Sequence, residues 1–481
     1  MSHYFNRKIL TICILTLFAF IALPREYYTG DLVLHLPILT MHSDARSFSA
    51  DYLRQFRLPD LNPSIYYPVL TILFRVFSGH EQLLFSLLRF FYLSCLFSIL
   101  FLLSMQLQIS FFVYTIFSLL LISHVQVGGS GISIIESEFL PRGFGLVLIL
   151  LSCYLFSIKN YKTGLAVLIS SVLLHGMTTF FAVWISIGLY LNKYRNSQLA
   201  AIAFALFLTI CAVVWICVTP VDPNWLAVLR MRNSYAFIDT WSTKAWINLS
   251  LILTPGLVYL FIVKTKTIAR SIIMPVYAGA LALLIIQFLF TFVKPIYPAI
   301  LLQLGRVWLF PALISLLALA HLISRYSKGL NKMFIIIGLG LLVLMVNNRP
   351  RISMQAALPS AWLSAQEWAR NNSSQSCLFL VPFSSIGFRI ESKRSIVGEY
   401  KDGTLSFYSR DFAREWLKRY EVLLNWEKLD SKNLLELASL YHFDYFVLPK
   451  ENKFTDFPVQ YSNDSYAIQS ITSEPKCELK L

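Results

Sequence analysis

The sequence predicts an all-α polytopic membrane domain of about eleven transmembrane helices, followed by a small soluble α/β domain. Three observations predict this. First, the chain is 56% hydrophobic and 14% charged, with a mean hydropathy of +0.61, whereas soluble domains carry about 25% charged residues. Second, the apolar residues fall in runs, such as Leu83–Leu103, Leu199–Val218 and Ile272–Phe292, and about 20 apolar residues match the hydrocarbon thickness of a bilayer. Third, charge is split. Residues 351–481 hold 16 basic and 16 acidic side chains, and the first 350 hold 25 basic and 10 acidic ones. The net charge of +15 therefore belongs to the apolar part. It is scattered between spans and not massed on one face, which argues against nucleic-acid binding.

The first span, Ile9–Leu23, follows Arg7 and Lys8. It resembles a signal peptide, but Pro24, Arg25 and Glu26 follow in place of a small-residue cleavage site, so it reads as a retained helix. Further spans are expected near 83–105, 109–124, 140–158, 163–174, 176–191, 197–218, 245–263, 271–292, 307–323 and 333–347. With the N-terminus cytoplasmic, the inner connections carry Lys159, Lys162, Lys193, Arg195, Lys264 and others, and no acid. All ten acids of the membrane part then fall outside, as the positive-inside rule asks. The expected location is a bacterial inner (plasma) membrane, with the transmembrane domain at 1–349 and an extracytoplasmic domain at 350–481. Outer loops are expected at 25–82, 125–139 and 219–244, with Tyr66–Phe77 as a re-entrant or interfacial helix.

In the tail, Trp362–Arg370 and Asp411–Leu423 are patterned as helices, and Cys377–Val381 and Tyr445–Leu448 as buried strands. Lys401-Asp402-Gly403 reads as a turn, and Val459–Tyr461 with Tyr466–Ile468 as a hairpin around Asn463-Asp464. Five of the seven cysteines lie in apolar stretches. Cys377 and Cys477 remain for a disulfide, whose formation the sequence leaves open.

The loop after the first span is acidic at intervals: Glu26, Asp31, Asp44, Asp51 and Asp60. Asp31, close to the membrane surface and followed by His35, is a candidate base, because partly apolar surroundings raise carboxylate basicity. The alternative is a solvated loop carboxylate. The second loop brings Glu136, Glu138 and Arg142. Glu138 and Arg142 are four residues apart at a helix start. They either pair with each other, or Glu138 faces a site while Arg142 takes a phosphate. Gly128-Gly129-Ser130-Gly131 reads as a flexible turn and not a nucleotide loop. His175 interrupts an apolar stretch and is a candidate on that ground; a hydrogen-bonded packing histidine is the plainer account. Gln303 and Arg306 precede Trp308 and a span, with Arg306 placed either to anchor the interface or to bind phosphate. Ten of twelve basic residues on the outer side are Arg, against four of twelve inside. The guanidinium fork suits phosphate, and ordinary headgroup contact would use it too.

These features resemble the GT-C superfamily of membrane glycosyltransferases. The resemblance rests on Arg25-Glu26-Tyr27-Tyr28-Thr29-Gly30-Asp31 after the first helix, Tyr66-Tyr67-Pro68, Gly79, Glu138-Phe139-Leu140-Pro141-Arg142, the helix pair split at His175, and the soluble tail. Within the tail, Phe388-Arg389, Arg394-Ser395 and Lys401-Asp402 look closest to uncharacterised bacterial members. The resemblance implies inverting transfer of a sugar from a polyprenyl-phosphate donor to a glycan, lipid or protein acceptor at the outer face. It implies a first-loop carboxylate as base, matched best by Asp31, with Glu138 as a second acid. The common pair of acids is absent, since Leu32 follows Asp31, and Asp44 stays a rival. Arg142, Arg306 and His175, with Gln303 and His35, are the expected phosphate and substrate contacts. No cofactor is implied, although two carboxylates are compatible with a divalent cation. A transporter or flippase, or a non-catalytic assembly protein for lipid-linked glycans, is the alternative reading.

Overall fold

The computed structural model describes residues 2–24, 27–28, 30–57, 64–123, 126–175, 209–211, 213–264, 267–326, 360–473 and 477. The chain divides into two compact units. One comprises Met1–Pro24, Phe85–Asp222 and Ser234–Arg351; the other comprises Arg25–Leu84, Pro223–Asn233 and Ile352–Leu481.

The first unit is helical. Among the described residues, four helices are long and apolar enough to cross a membrane: Glu81–Gln106, Thr243–Ile262, Ala269–Val293 and Tyr297–Tyr326. They coincide with four of the expected spans. Their starts follow from the sequence. Ser242 and Thr267 accept the N–H of Ala245 and Arg270, so each caps the helix that follows it. Pro255 lies inside a helix, and the Ser315 hydroxyl accepts the Gly256 N–H beside it at 3.0 Å. Arg89 is buried, donates to the Leu23 carbonyl at 2.8 Å and lies 5.2 Å from the centre of the Phe20 ring.

The described residues do not support the expected eleven spans. Phe111–Ile122, Pro141–Ser157 and Tyr161–Leu174 are apolar helices of 12, 17 and 14 residues, and the apolar part of the first helix is Lys8–Ala22. At about 1.5 Å per residue they are shorter than a hydrocarbon core of about 30 Å. Apolar composition marks where a helix lies but not where its hydrogen-bonded ladder ends. The expected spans 176–191 and 333–347, and most of 197–218, lie outside the described residues.

The second unit carries a five-stranded sheet of order β2-β1-β3-β5-β4, with β1 at Leu378–Leu380, β2 at Ser395–Ile396, β3 at Tyr445–Pro449, β4 at Val459–Ser462 and β5 at Tyr466–Ser470. β2, β1 and β3 are parallel, while β5 runs antiparallel to both β3 and β4. Helix Ser360–Asn372 buries Trp362, Ala365 and Ala369 against Phe379, Val447 and Ile468. That spacing of three and four residues forms one helical face. Cys377 and Cys477 are joined as a disulfide. Lys401-Asp402-Gly403 is not an isolated turn. It lies in a 3₁₀ helix, Tyr400–Phe407, opened by a reciprocal cap between Glu399 and Asp402.

This unit is larger than the tail. The expected first outer loop contributes helices Leu32–Ser43 and Tyr66–Val76, the latter where an interfacial helix was expected. Segment 223–233 joins through Trp225, whose indole N–H donates to the Ser406 carbonyl at 2.9 Å. Arg232 donates to the Tyr400 carbonyl at 2.9 Å and stacks on that ring at 4.4 Å.

Candidate functional site

In the second unit the first-loop acids part company. Asp31 is the residue before helix Leu32–Ser43, and its carboxylate does not cap that helix. It accepts instead from Lys401 Nζ at 2.9 Å, with the Asp31 side chain 19% exposed. One turn on, His35 Nδ1 meets the Tyr67 hydroxyl at 2.6 Å. Asp44 ends the same helix. The twelve-residue helix between them separates the two acids by about 20 Å, so they do not substitute for one another at one reacting atom. Asp44 is tied to its own loop through the Arg46 N–H at 2.9 Å and the Ser47 hydroxyl at 3.1 Å. The Arg46 N–H holds its carboxyl below the usual range, which weakens it as a base. Glu26 and Asp60 lie outside the described residues.

Asp51 has a different task. Its carboxylate caps helix Tyr52–Gln55 through the Leu53 N–H. It also accepts from Arg389 Nε at 2.7 Å and Nη2 at 3.1 Å, and from the Ile396 N–H at 3.1 Å. Arg389 donates as well to both oxygens of Asp402, at 2.8 and 3.0 Å, and lies 3.7 Å from Glu399. The Tyr52 hydroxyl completes the group on Asp402 at 2.8 Å. All these charged side chains are at most 2% exposed. Burial, followed by the nearby Asp402 carboxylate, pushes the Glu399 carboxyl up to about 8, so it is held largely protonated near neutrality. The cluster is sealed and fastens the first loop to the tail.

In the helical unit, Arg142 is clamped by Glu136, Nε to Oε1 at 2.5 Å and Nη2 to Oε2 at 3.0 Å. The helix begins only at Pro141. Glu138 therefore precedes it, and the helical four-residue spacing that linked Glu138 to Arg142 does not apply; Glu138 is buried in its own right. Gly128 and Gly129 are not a flexible turn: a Cβ on either would lie 2.7 or 2.5 Å from the Trp241 ring. His175 follows helix Tyr161–Leu174 in extended backbone, and the expected second half of its split pair lies outside the described residues.

Arg306 stacks on Tyr235 at 3.9 Å. It sits in a 3₁₀ turn, Leu304–Trp308, after Gln303, whose φ of 47° is left-handed and uncommon for a side chain of that kind. Next to this turn lies Gln287, which the sequence reading did not single out. It is fully buried at the point where the helix Ile268–Gln287 passes into a π turn, Phe288–Val293. A lone amide in an otherwise apolar run was the signal available. Among the described residues, the metal-ligand grouping of three is Cys377, Asp444 and Cys477, and its two sulfurs are bonded to each other.

Residues 360–423 match a family model described as "Domain of unknown function (DUF6798)". The matched stretch contains Arg389, Glu399, Asp402 and Arg419. No curated protein matches the chain.

Proposed function

We propose that the chain is a GT-C-like membrane enzyme that transfers a sugar, with inversion, from a polyprenyl-phosphate donor to an acceptor at the outer face of the membrane. One observation carries this reading more than any other. Asp31, 19% exposed, is held in place at 2.9 Å by a cation on another segment, Lys401, a closer pairing than that of Glu81, at the end of the same loop, which lies 3.9 Å from Lys393. Asp51 is consumed in the sealed cluster, and Asp44 is bound to its own loop.

In this reading Asp31 takes the proton of an acceptor hydroxyl as that oxygen forms its bond to the anomeric carbon. The bond from that carbon to the phosphate oxygen breaks, and the lipid phosphate leaves with the electron pair. A single displacement of this kind inverts the anomeric centre. Charge growing on the departing phosphate calls for preorganised donors. Of the two arginines expected to bind phosphate within the helical unit, Arg142 has its fork occupied by both oxygens of Glu136, and Arg306 is the better candidate. Lys401 orients the base. In this reading His35, one turn from Asp31 and bonded to Tyr67, serves as a polar contact of the acceptor.

Lysine-rich inner loops and the apolar helices support placement in a plasma membrane with the N-terminus cytoplasmic and the tail extracytoplasmic. The test is transfer from polyprenyl-phosphate sugars by the purified protein. Asp31→Asn is expected to lower the rate by about 10²-fold or more, the scale of a lost general base, while Asp44→Asn stays near wild type. Full transfer by Asp31→Asn sinks the assignment. Donor binding with no transfer by the wild type indicates the non-catalytic assembly reading.

A further inference from the structure

The helical unit concentrates unpartnered polar atoms at one place. Gln287 Nε2 and Oε1, Gln303 Oε1, Arg306 Nε and Trp308 Nε1 are all buried, and among the described residues none of them has a hydrogen-bond partner. Gln287 Nε2 lies beside the turn that carries the other three residues. A Cβ built on Gly305 would lie 3.3 Å from Gln287 Nε2, 3.1 Å from the Trp241 ring and 3.0 Å from the Tyr235 carbonyl. Gln303, Arg306 and Trp308 flank that glycine in a single turn, fixed by the Arg306 N–H donating to the Gln303 carbonyl at 2.8 Å.

Buried polar groups without partners are costly and call for an explanation. The backbone here is unusual in two ways, with a π turn directly after Gln287 and a left-handed Gln303. Both features gather at functional sites. The Gln287 backbone is itself well held, since its carbonyl accepts the Thr291 hydroxyl at 2.6 Å. Only the amide lacks a partner.

The donor and acceptor count limits what belongs there. Three of the atoms are donors, on Gln287, Arg306 and Trp308, and two are acceptors, on Gln287 and Gln303. A bare phosphate offers only acceptors and leaves both amide oxygens unanswered. An apolar chain answers none of the five. A sugar hydroxyl is donor and acceptor at once and matches a primary amide, while an adjoining phosphate matches Arg306. We infer that Gln287 reads the sugar hydroxyls of a lipid-linked sugar phosphate whose phosphate lies at Arg306. This rests on the proposed transfer reading and adds to it the residue that sets sugar recognition.

The experiment uses the full chain in lipid nanodiscs. Its probes are polyprenyl-phosphate glucose, mannose and galactose, with the same polyprenyl phosphate lacking sugar. Wild type is expected to bind at least one sugar lipid about tenfold or more tightly than the bare lipid phosphate, the scale of one or two buried hydrogen bonds. Gln287→Leu and Gln287→Met should bind all four probes alike. Arg306→Gln should weaken all four together. The ligand-free thermal midpoint of at least one Gln287 variant should equal or exceed that of wild type, because no internal hydrogen bond is lost.

Sugar preference retained in either folded Gln287 variant overturns the inference. So does a midpoint several degrees lower in both, which would mean that the amide holds the fold or a buried water. Absence of preference in wild type overturns it too. Sugar-dependent binding through Gln287 without transfer ends the transfer reading alone. Transfer that ignores Gln287 ends this inference alone.

Discussion

The protonation of Glu399 gives the most direct test of the sealed cluster. Its carboxyl is 1% exposed, accepts the Gly387 N–H at 2.9 Å and is pushed from an ordinary 4.5 up to about 8. In the unfolded chain it ionises near 4.5. Between those values the folded state keeps a proton that the unfolded state has released. Stability therefore falls as pH rises through this window, by about 1.4 kcal/mol per pH unit, and flattens above the folded value. From pH 6 to pH 8 the loss is about 2 kcal/mol, or roughly 5 °C in the midpoint of a unit of this size. Glu399→Gln keeps an acceptor for Gly387 and removes the titration, so its stability should be flatter over the same range. Trp362, Trp416 and Trp426 are buried in this unit and report its unfolding by fluorescence in detergent micelles at pH 6, 7 and 8. A Gln variant with the same pH slope as wild type, or a wild type that gains stability toward pH 8, would refute the reasoning.

Two other perturbations follow from the packing. Arg389→Met leaves Asp51, Asp402 and Glu399 facing one another with no guanidinium between them; a loss of about 3–5 kcal/mol is expected, read as a lowered midpoint by the same fluorescence, and an unchanged midpoint would show that the cluster is not electrostatically balanced by Arg389. Gly129→Ala places a methyl 2.5 Å from Trp241 and should cost about 1–3 kcal/mol by overpacking, measured as a drop in the thermal midpoint, whereas Gly79→Ala, with open space around its Cβ, meets only the strain of its positive φ.

What the sequence made legible follows the range of the interactions. Short apolar runs bounded by turn residues located β1 and β3, and Asn463-Asp464 located the β4–β5 hairpin, because strand pairing across a tight turn is local. Helix Ser431–Tyr441 carries its own local signals: Asp430 caps it, and Leu434, Leu437 and Ala438 lie on one buried face. Helix Leu32–Ser43 was hidden by Pro37 within it and by the acids at both ends, which together resemble a loop. The ion cluster had no local signature, since Asp51 and Arg389 are 338 positions apart. Among the candidate residues, chemistry alone singled out Asp31, Asp44 and Arg306 alike, and the helix that separates Asp31 from Asp44 comes only from the fold. Gln287 needed the list of its missing partners, which only packing supplies.

The composition of the second unit also constrains the path of the chain. Three separated stretches, 25–84, 223–233 and 352–481, fold into one compact body, tied by Asp51 to Arg389 and by Arg232 to Tyr400. A body with a shared core cannot be divided by a bilayer, so all three stretches lie on one side of any membrane the chain crosses. An even number of crossings must then separate Leu84 from Pro223, and likewise Asn233 from Ile352. Between the latter two, the described residues include three helices long and apolar enough to cross: Thr243–Ile262, Ala269–Val293 and Tyr297–Tyr326. Three is odd. Either a further crossing follows Tyr326, where the sequence marks the apolar run 333–347, or one of the three does not cross. Tyr297–Tyr326 is the one of these with an irregular start, since it includes the Leu304–Trp308 turn at Gly305. The Leu304–Trp308 turn thus bears on both the polar cluster and the parity of the chain: a helix that carries an unpaired amide, Gln303, and the Arg306 guanidinium near its start is one whose placement in lipid depends on what those groups hold.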